Sequence, residues 1–182
     1  MEYFFFCSKG LSKLLICGGN YPGIVDTCEV INLASSASTC KNLPNFPATV
    51  FIAIGGTGFK GNPIVCGGRQ NDVPSNKCYS LENNEWVYSP SMNSVRVSAA
   101  ATQLQNGQLL VTGSVNLKSA EMLTEEGWES NIPSLPVTIF AHCMVTVNST
   151  TVMAIGGVQN NQYSGKTFYF TLEKKAGLRD LY

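Results

Sequence analysis

Residues 63–86 read PIVCGGRQNDVPSNKCYSLENNEW, and this stretch decides how the rest of the chain is interpreted. It contains an apolar run, a glycine pair, a polar segment, a second cysteine beside a tyrosine, and a tryptophan. Two cysteines around a glycine pair are compatible with a metal site, a redox couple, a ligand pocket or a structural disulfide. Only the rest of the sequence can separate these alternatives.

Composition limits the class of protein. The chain has 182 residues, enough for one well-buried domain. Hydrophobic residues make up 44% and charged residues 13%, which is about half the usual charged share. The 12 basic and 12 acidic side chains balance and form no long run of one sign, so no nucleic-acid partner is expected. No apolar run reaches the roughly 18 residues that a membrane span needs, so no membrane insertion is expected. The opening MEYFFFCSKG is a poor signal peptide because Glu2 stands in place of a basic segment and Ser8, Lys9 and Gly10 interrupt the short apolar run.

The glycine pair belongs to an internal repeat. The segments LLICGGN, PIVCGGR, LLVTGSV and VMAIGGV align with Gly19, Gly68, Ser114 and Gly157 in register, at intervals of 49, 46 and 43 residues. An apolar run precedes each segment, and a polar loop and a third apolar run follow it. This pattern predicts four short strands per unit and an all-β fold.

The units run over residues 2–47, 48–94, 95–137 and 138–172, with a tail at 173–182, and the fourth unit is incomplete. Asn106 and Gly107 predict a two-residue hairpin turn in the third unit. One four-stranded sheet cannot bury both of its faces, so the units are expected to stack around an axis within a single domain.

The repeat resembles the kelch repeat of β-propellers. The residues that carry the resemblance are Gly18, Gly19, Gly67, Gly68, Tyr79, Trp86, Trp128, Gly156 and Gly157, with Arg96 before the first strand of unit 3. The third unit departs from the pattern at Ser114 and Met122, and the first lacks a tryptophan. The resemblance implies a kelch-type propeller with about three complete blades and an incomplete fourth. Kelch propellers usually have six blades, so the chain is expected to be part of a larger ring.

The cysteines of the opening stretch have counterparts in unit 1. Cys17 and Cys28 are related to Gly19 almost as Cys66 and Cys78 are related to Gly68. If the flanking strands pair antiparallel, the Cβ atoms of each couple lie about 4.5–5.5 Å apart, which favours a disulfide in each hairpin.

Other cysteine arrangements stay open. Buried free thiols are the main alternative to disulfides, and metal ligation is least favoured because the chain has one histidine. Cys40 is a rival partner for Cys28, and with seven cysteines at least one thiol is unpaired in a monomer. The Cys-Gly-Gly form is similar to cysteine-bearing kelch proteins of invertebrate secretions, and disulfides would imply an oxidising compartment.

Other motifs give no support for catalysis. Residues 56–61 match the dinucleotide motif G-x-G-x-x-G, but a strand is predicted after them where phosphate binding needs a helix, so a glycine-rich hairpin loop is expected. His142 and Cys143 are adjacent on a predicted strand and therefore point to opposite faces. A galactose-oxidase-like copper enzyme, the enzymatic alternative that the fold suggests, needs two histidines. No catalytic residue, cofactor or metal ligand is predicted.

The expected function is non-catalytic binding of a protein or a glycan. The resemblance implies that partners dock on the loops between second and third strands and on the linkers between units. The candidate residues on these loops are Tyr21, Arg69, Asp72, Lys118 and Tyr163. Asn148 begins an Asn-Ser-Thr glycosylation sequon, which agrees with a secreted protein. The alternative is a cytoplasmic kelch adaptor of the ubiquitin-ligase or actin-binding type. Closing the ring is expected to need further blades or an oligomer.

Overall fold

A computed structural model describes residues 5–7, 13–20, 23–32 and 40–172. These residues are all-β, with antiparallel strands and no helix. No membrane-spanning helix is therefore found in this part of the chain.

Each sequence unit forms its own sheet, in which successive strands are neighbours. Sheet 1 contains β1 (Phe5–Cys7), β2 (Lys13–Cys17), β3 (Cys28–Asn32) and β4 (Cys40–Leu43). The second unit contains β5 (Val50–Phe51), β6 (Ile54–Thr57), β7 (Pro63–Cys66), β8 (Arg69–Gln70), β9 (Val73–Pro74), β10 (Cys78–Glu82) and β11 (Glu85–Ser89). Sheet 2 has the order β6-β7-β10-β11, while β5, β8 and β9 form a small separate sheet.

The third and fourth units continue the arrangement. Sheet 3 contains β12 (Ala100–Gln103), β13 (Leu109–Ser114), β14 (Leu117–Thr124) and β15 (Gly127–Glu129). Sheet 4 contains β16 (Cys143–Thr146), β17 (Thr151–Ile155) and β20 (Thr167–Thr171), and β18 (Val158–Gln159) pairs with β19 (Gln162–Tyr163) as a separate hairpin. The first strands of successive sheets, β1, β6, β12 and β16, contact one another in that order.

The hairpin at Asn106 is present, but its turn differs from the prediction. Gly107 has a positive φ of 87° whereas Asn106 does not, and residues 104–108 separate the two strands. The Oδ1 atom of Asn106 accepts the N–H of Gln108 at 3.1 Å. Backbone bonds from Gly107 to Leu104 at 3.0 Å and from Leu104 to Gln108 at 2.8 Å close a longer turn, which the side-chain bond supports. The predicted two-residue turn would need positive φ at both central residues.

Three buried clusters lie between successive sheets. Because side chains alternate between the faces of a strand, each sheet contributes one set of residues to each neighbour. Val65 packs towards sheet 1, while Ile64 and Cys66 pack with Leu109 and Val111 of sheet 3. The third cluster joins sheets 3 and 4 in the same manner. The hydrophobic core is therefore divided into layers along the repeat.

The tryptophans fix the fourth strands to the preceding linkers. The indole N–H of Trp86 donates to the carbonyl of Pro44 at 3.0 Å, and that of Trp128 donates to Pro90 at 2.9 Å. The rings of Tyr79 and Trp86 each meet the buried ring of Phe46 edge to face, with centroids 5.1 Å apart. Edge-to-face aromatic pairs of this kind add about 0.5–1.5 kcal/mol beyond their buried area.

The glycine pairs form the joints between units. The N–H of Gly67 donates to the Lys77 carbonyl at 2.9 Å, and that of Gly68 donates to the Arg96 carbonyl of the next linker at 2.7 Å. A Cβ atom on Gly68 would lie 2.6 Å from the carbonyl oxygen of Phe51, and its φ is +70°. Only glycine combines this backbone conformation with so close an approach.

His142, which follows the third linker, is a buried packing residue. Its Nε2 atom lies 2.9 Å from the hydroxyl of Thr112, and its Nδ1 atom has no hydrogen-bond partner among the described residues. Burial lowers the pKa of His142 from 6.5 to about 4. Cys143 is exposed, as the strand alternation predicts, so the two side chains do not form a nucleophile and base.

We expect Gly68→Ala to destabilise the fold much more than Gly107→Ala. Both residues have positive φ, and placing an alanine there costs about 1–2 kcal/mol. A Cβ at Gly107 meets nothing within 4 Å, whereas one at Gly68 meets backbone, which adds about 1–3 kcal/mol. Urea unfolding of both variants measures the difference, and equal losses would contradict the proposed close contact.

We expect the free energy of unfolding to fall between pH 7 and pH 5 because of His142. The unfolded chain takes up a proton near pH 6.5, while the folded chain keeps this ring neutral down to about pH 4. Stability from this group is therefore complete above pH 6.5 and is lost as the pH falls, by about 2 kcal/mol at pH 5. The His142→Gln variant lacks this titrating group. The natural chain's advantage over the variant in free energy of unfolding should therefore be smaller at pH 5 than at pH 7 by about 2 kcal/mol. A single-histidine NMR titration with a midpoint near 6.5 would refute the expectation.

Candidate binding face

The loops between second and third strands lie against the linkers between sheets. The N–H of Phe46 donates to the carbonyl of Asp26 at 2.7 Å, and the N–H of Leu135 donates to the carbonyl of Lys118 at 2.9 Å. We define the loop face as the side formed by these loops (residues 23–27, 67–77, 115–118 and 156–166) and the linkers (44–52, 90–98 and 130–141). Backbone bonds therefore brace this side of the molecule.

The loop of unit 2 contains a miniature hairpin. Strands β8 and β9 pair around Asn71 and Asp72, whose φ values are 49° and 61°. Two successive residues with positive φ are typical of the tight hairpin turn that Asn and Asp favour. The N–H of Asn71 donates to the Thr49 carbonyl at 2.9 Å, and its Oδ1 accepts the Thr49 N–H at 3.2 Å. The loop is therefore a fixed structure attached to the first linker.

Arg69 and Asp72, two of the predicted binding residues, are bonded to each other across this hairpin. The Nε of Arg69 lies 2.9 Å from Oδ1 of Asp72, and its guanidinium also donates to the Asp72 carbonyl. The guanidinium carbon lies 6.0 Å from the centre of the Phe51 ring. The side chains are 34% and 67% exposed, so this pair contributes little to stability. It keeps a charged and accessible group in one orientation.

A cleft of about 410 Å³ lies between this hairpin and the first linker. Its apolar walls are Pro47, Ala48, Val73, Pro74 and Tyr79, and its polar lining includes Asn71, Asn76 and Lys77. Val73 is 62% exposed at the rim. More of the exposed lining is polar than apolar. An accessible cleft of this kind can hold a short side chain or a loop of a partner.

The polar base of the cleft is held by the fold. The buried amide of Gln70 donates from Nε2 to the carbonyls of Gly67 and Lys77, both at 3.1 Å. The Nδ2 of Asn76 donates to the carbonyl of Met92 at 2.7 Å. These bonds fix the lining before any ligand binds.

The remaining predicted binding residues lie on other units. Tyr163 is 97% exposed on the β18–β19 hairpin, whose turn residues Asn160 and Asn161 both have positive φ. Lys118 is exposed on the corresponding edge of sheet 3. Within the described ranges, no hydrogen bond or ion pair joins either to the Arg69–Asp72 pair. Tyr21 lies outside the described residues.

The opposite ends of sheets 2 and 3 contain a second cleft of about 270 Å³. Its lining includes Gly58, Phe59 and Lys60, from the segment that matches the dinucleotide motif. The N–H of Gly61 donates to the carbonyl of Gly58 at 2.9 Å, and strand β7 follows. The loop is therefore a hairpin, as predicted, and lacks the helix N-terminus that would bind a pyrophosphate.

The predicted disulfides are present. Cys17 is bonded to Cys28 and Cys66 to Cys78, and each pair is directly opposite in its antiparallel hairpin with Cα atoms 4.1 Å apart. Cys40 lies opposite Ile31 and is therefore not the partner of Cys28. The described part of the chain contains no group of three His, Cys, Asp or Glu side chains arranged to hold a metal ion.

The predicted glycosylation site lies in an exposed turn between β16 and β17. The Oδ1 of Asn148 accepts the N–H groups of Thr150 and Thr151 at 3.0 and 2.8 Å. These bonds use the oxygen of the amide and leave its nitrogen, to which a glycan would be attached, on the surface. The geometry is compatible with the modification.

Comparison of the sequence with protein families and with curated proteins gives no match. Among solved structures, the chain is similar to the structure of YjhT, with a TM-score of 0.75 and 13% sequence identity. The similarity covers 92% of this chain and 62% of that chain, so this chain spans less than two thirds of that protein's length. At this identity the likeness shows the fold alone.

Proposed function

We propose that this chain is an arc of a larger kelch-type β-propeller that acts as a non-catalytic binding module, with the loop face as its docking surface. The observation that carries the proposal is the cleft of about 410 Å³ beside the β8–β9 hairpin, lined by an exposed valine and a tyrosine and adjoined by an arginine that is 34% exposed.

The arrangement of the sheets supports the propeller. Four meandering sheets follow one another, their first strands are in contact, and the glycine-pair joint to the next linker recurs at the same position in units 1 and 2. Kelch propellers show the same features: four-stranded blades around an axis, with the first strand innermost. The fold likeness to a longer chain agrees with an arc of a larger ring.

The chemistry of the loop face favours a protein partner over a glycan. Val73 is apolar and 62% exposed beside the Arg69–Asp72 pair, and Tyr163 is almost fully exposed on the same face. Arginine and tyrosine are enriched among residues that carry binding energy. The bracing bonds of Asn71, Gln70 and Asn76 reduce the ordering cost of binding. An extended peptide segment placing an apolar side chain in the cleft and a carboxylate near Arg69 fits this surface.

The location proposed is extracellular. Two disulfides persist only where the environment is oxidising, and Asn148 is exposed within a sequon. A cytoplasmic adaptor would keep its cysteines reduced.

We expect Val73→Lys and Arg69→Glu to weaken partner binding at least tenfold. A peptide library displayed on phage is selected on the natural chain, and the Kd of each enriched peptide is measured by calorimetry. Lysine at position 73 introduces a charge at the apolar rim, and glutamate at position 69 reverses the charge that would meet a carboxylate. A glycan array tested in parallel identifies the alternative ligand class.

The matched control is Phe59→Lys. This apolar residue is 53% exposed at the second cleft, at the opposite end of sheet 2. The control should bind the enriched peptides like the natural chain. Peptides that bind all three variants equally, or that lose affinity only with Phe59→Lys, would show that the loop face is not the docking surface.

We expect the protein from its natural source to contain the two disulfides. Peptide maps recorded with and without reductant should show the Cys17–Cys28 and Cys66–Cys78 peptides linked, with Cys143 free to react with an alkylating reagent. Enzymatic deglycosylation should convert Asn148 to aspartate if a glycan was attached. Freely alkylated thiols at all four paired positions would instead support the cytoplasmic adaptor.

A further inference from the structure

Sheet 4 has one face that is buried and one that none of the described residues covers. Val152, Ala154 and Phe170 are at most 3% exposed and pack against unit 3. On the opposite face, Val145, Met153 and Tyr169 form a row across the three strands, because Val145 pairs with Met153 and Met153 with Tyr169. Val145 is 46% and Tyr169 70% exposed. We name this row the terminal row.

The corresponding face is an internal interface in the preceding units. Counted from the glycine pairs, Met153 and Ile155 of sheet 4 correspond to Ile64 and Cys66 of sheet 2. Ile64 and Cys66 are each 1% exposed, because sheet 3 covers them. The terminal row therefore continues an interface that the chain itself uses between its units, and its natural cover is another sheet of the same kind.

Sheet 1 has the side chains that would cover it. Sheet 3 covers sheet 2 with Leu109, Val111 and Leu123, and Glu121 lies at the same face. The residues at the equivalent register positions of sheet 1 include Ile16, Ile31 and Glu29. These three positions keep their chemical character, including the carboxylate. Ile16, Glu29 and Ile31 are only half buried, so this face is still accessible.

We propose that sheet 4 of one copy of this chain packs against sheet 1 of a second copy, head to tail. The contact uses the same two faces as the joint between sheets 2 and 3, with Val145 in the place of Gly56, which lies against Leu109 there. Two such contacts close a ring of two copies. The proposal rests on the propeller arrangement proposed above and not on its binding role, because the sheet faces are separate from the loop face. Failure of either proposal can therefore be recognised independently.

The test uses charged substitutions on each side of the contact. Val145→Lys places a cation on the uncovered face of sheet 4, and Ile16→Glu places an anion on the face of sheet 1. Val115→Lys is the matched control, since Val115 is 43% exposed in a loop away from both faces. Because Val145 is already exposed in the single chain, its substitution should leave circular dichroism and urea unfolding of the monomer unchanged.

Sedimentation velocity over a dilution series measures the association of the 182-residue chain. The natural chain and the Val115→Lys control should associate, and each of the two interface variants should weaken association at least tenfold. An equimolar mixture of Val145→Lys and Ile16→Glu should associate again, because one copy then brings lysine against glutamate while the other contact is natural. Assemblies of more than two copies that are lost in both interface variants would also support the contact between sheets 4 and 1. They would show that the ring does not close at two copies.

Three results would overturn the proposal. The first is a monomer at every concentration of the natural chain. The second is association that neither interface variant weakens. The third is loss of association with Val145→Lys but not with Ile16→Glu, since this would mean that two sheet 4 faces meet each other in a symmetric contact.

Discussion

The stacking of the sheets depends on one repeated backbone contact, in which the second glycine of a pair donates its N–H to the next linker. Gly19 donates to Val50 at 2.9 Å and Gly68 to Arg96 at 2.7 Å. The linkers are also bonded to one another, since Ser98 donates to Ile52 and Ala141 donates to Ser98. Ile52, Ser98 and Ala141 all have φ near +50°, a conformation that costs about 1–3 kcal/mol for a residue other than glycine. The cost is tolerated because hydrogen bonds to the neighbouring linkers hold the backbone in this conformation.

The linker residue Arg96 shows how the same constraint is met with different chemistry. Arg96 is completely buried where the neighbouring linkers have Val50 and Ile139, and its five N–H groups donate to Glu121, Gly113 and Ser119. Burial lowers the pKa of Arg96, while the carboxylate of Glu121 acts in the opposite direction. A buried ion pair adds little net stability compared with apolar residues of similar size. Its contribution here is geometric, because Glu121 also accepts the N–H groups of Asn93 and Ser94 and so fixes the path of the linker. Ser114 is a second adaptation, since its hydroxyl bonds to both the N–H and the carbonyl of Val97.

The sequence predicted those features that follow from periodicity. The spacing of the apolar runs fixed the strands of each unit, and the equal distances of the cysteines from the glycines predicted the two disulfides. It did not predict the bond between Arg69 and Asp72, which depends on a hairpin within a segment that looked like a polar loop. The Asn71-Asp72 and Asn160-Asn161 dipeptides indicate the turns of the two loop hairpins, since asparagine and aspartate tolerate positive φ. The positive φ of Ile52 could not have been predicted, because no local preference favours it and only the packing of linkers imposes it.

Stacking surfaces and loops are separate in this fold, so side chains on the loops can change without loss of stability. The sheet faces are occupied by apolar clusters that cannot change without loss of packing, as the full burial of Leu110, Val111 and Val152 indicates. The loop residues, in contrast, are held by backbone bonds to the linkers, which do not depend on the side chains at the rim. Val73 and Tyr163 can therefore be replaced with little effect on the fold, because their side chains extend into solvent. A surface whose backbone is fixed and whose side chains are free to vary is one on which binding specificity can change while the joints between sheets remain the same.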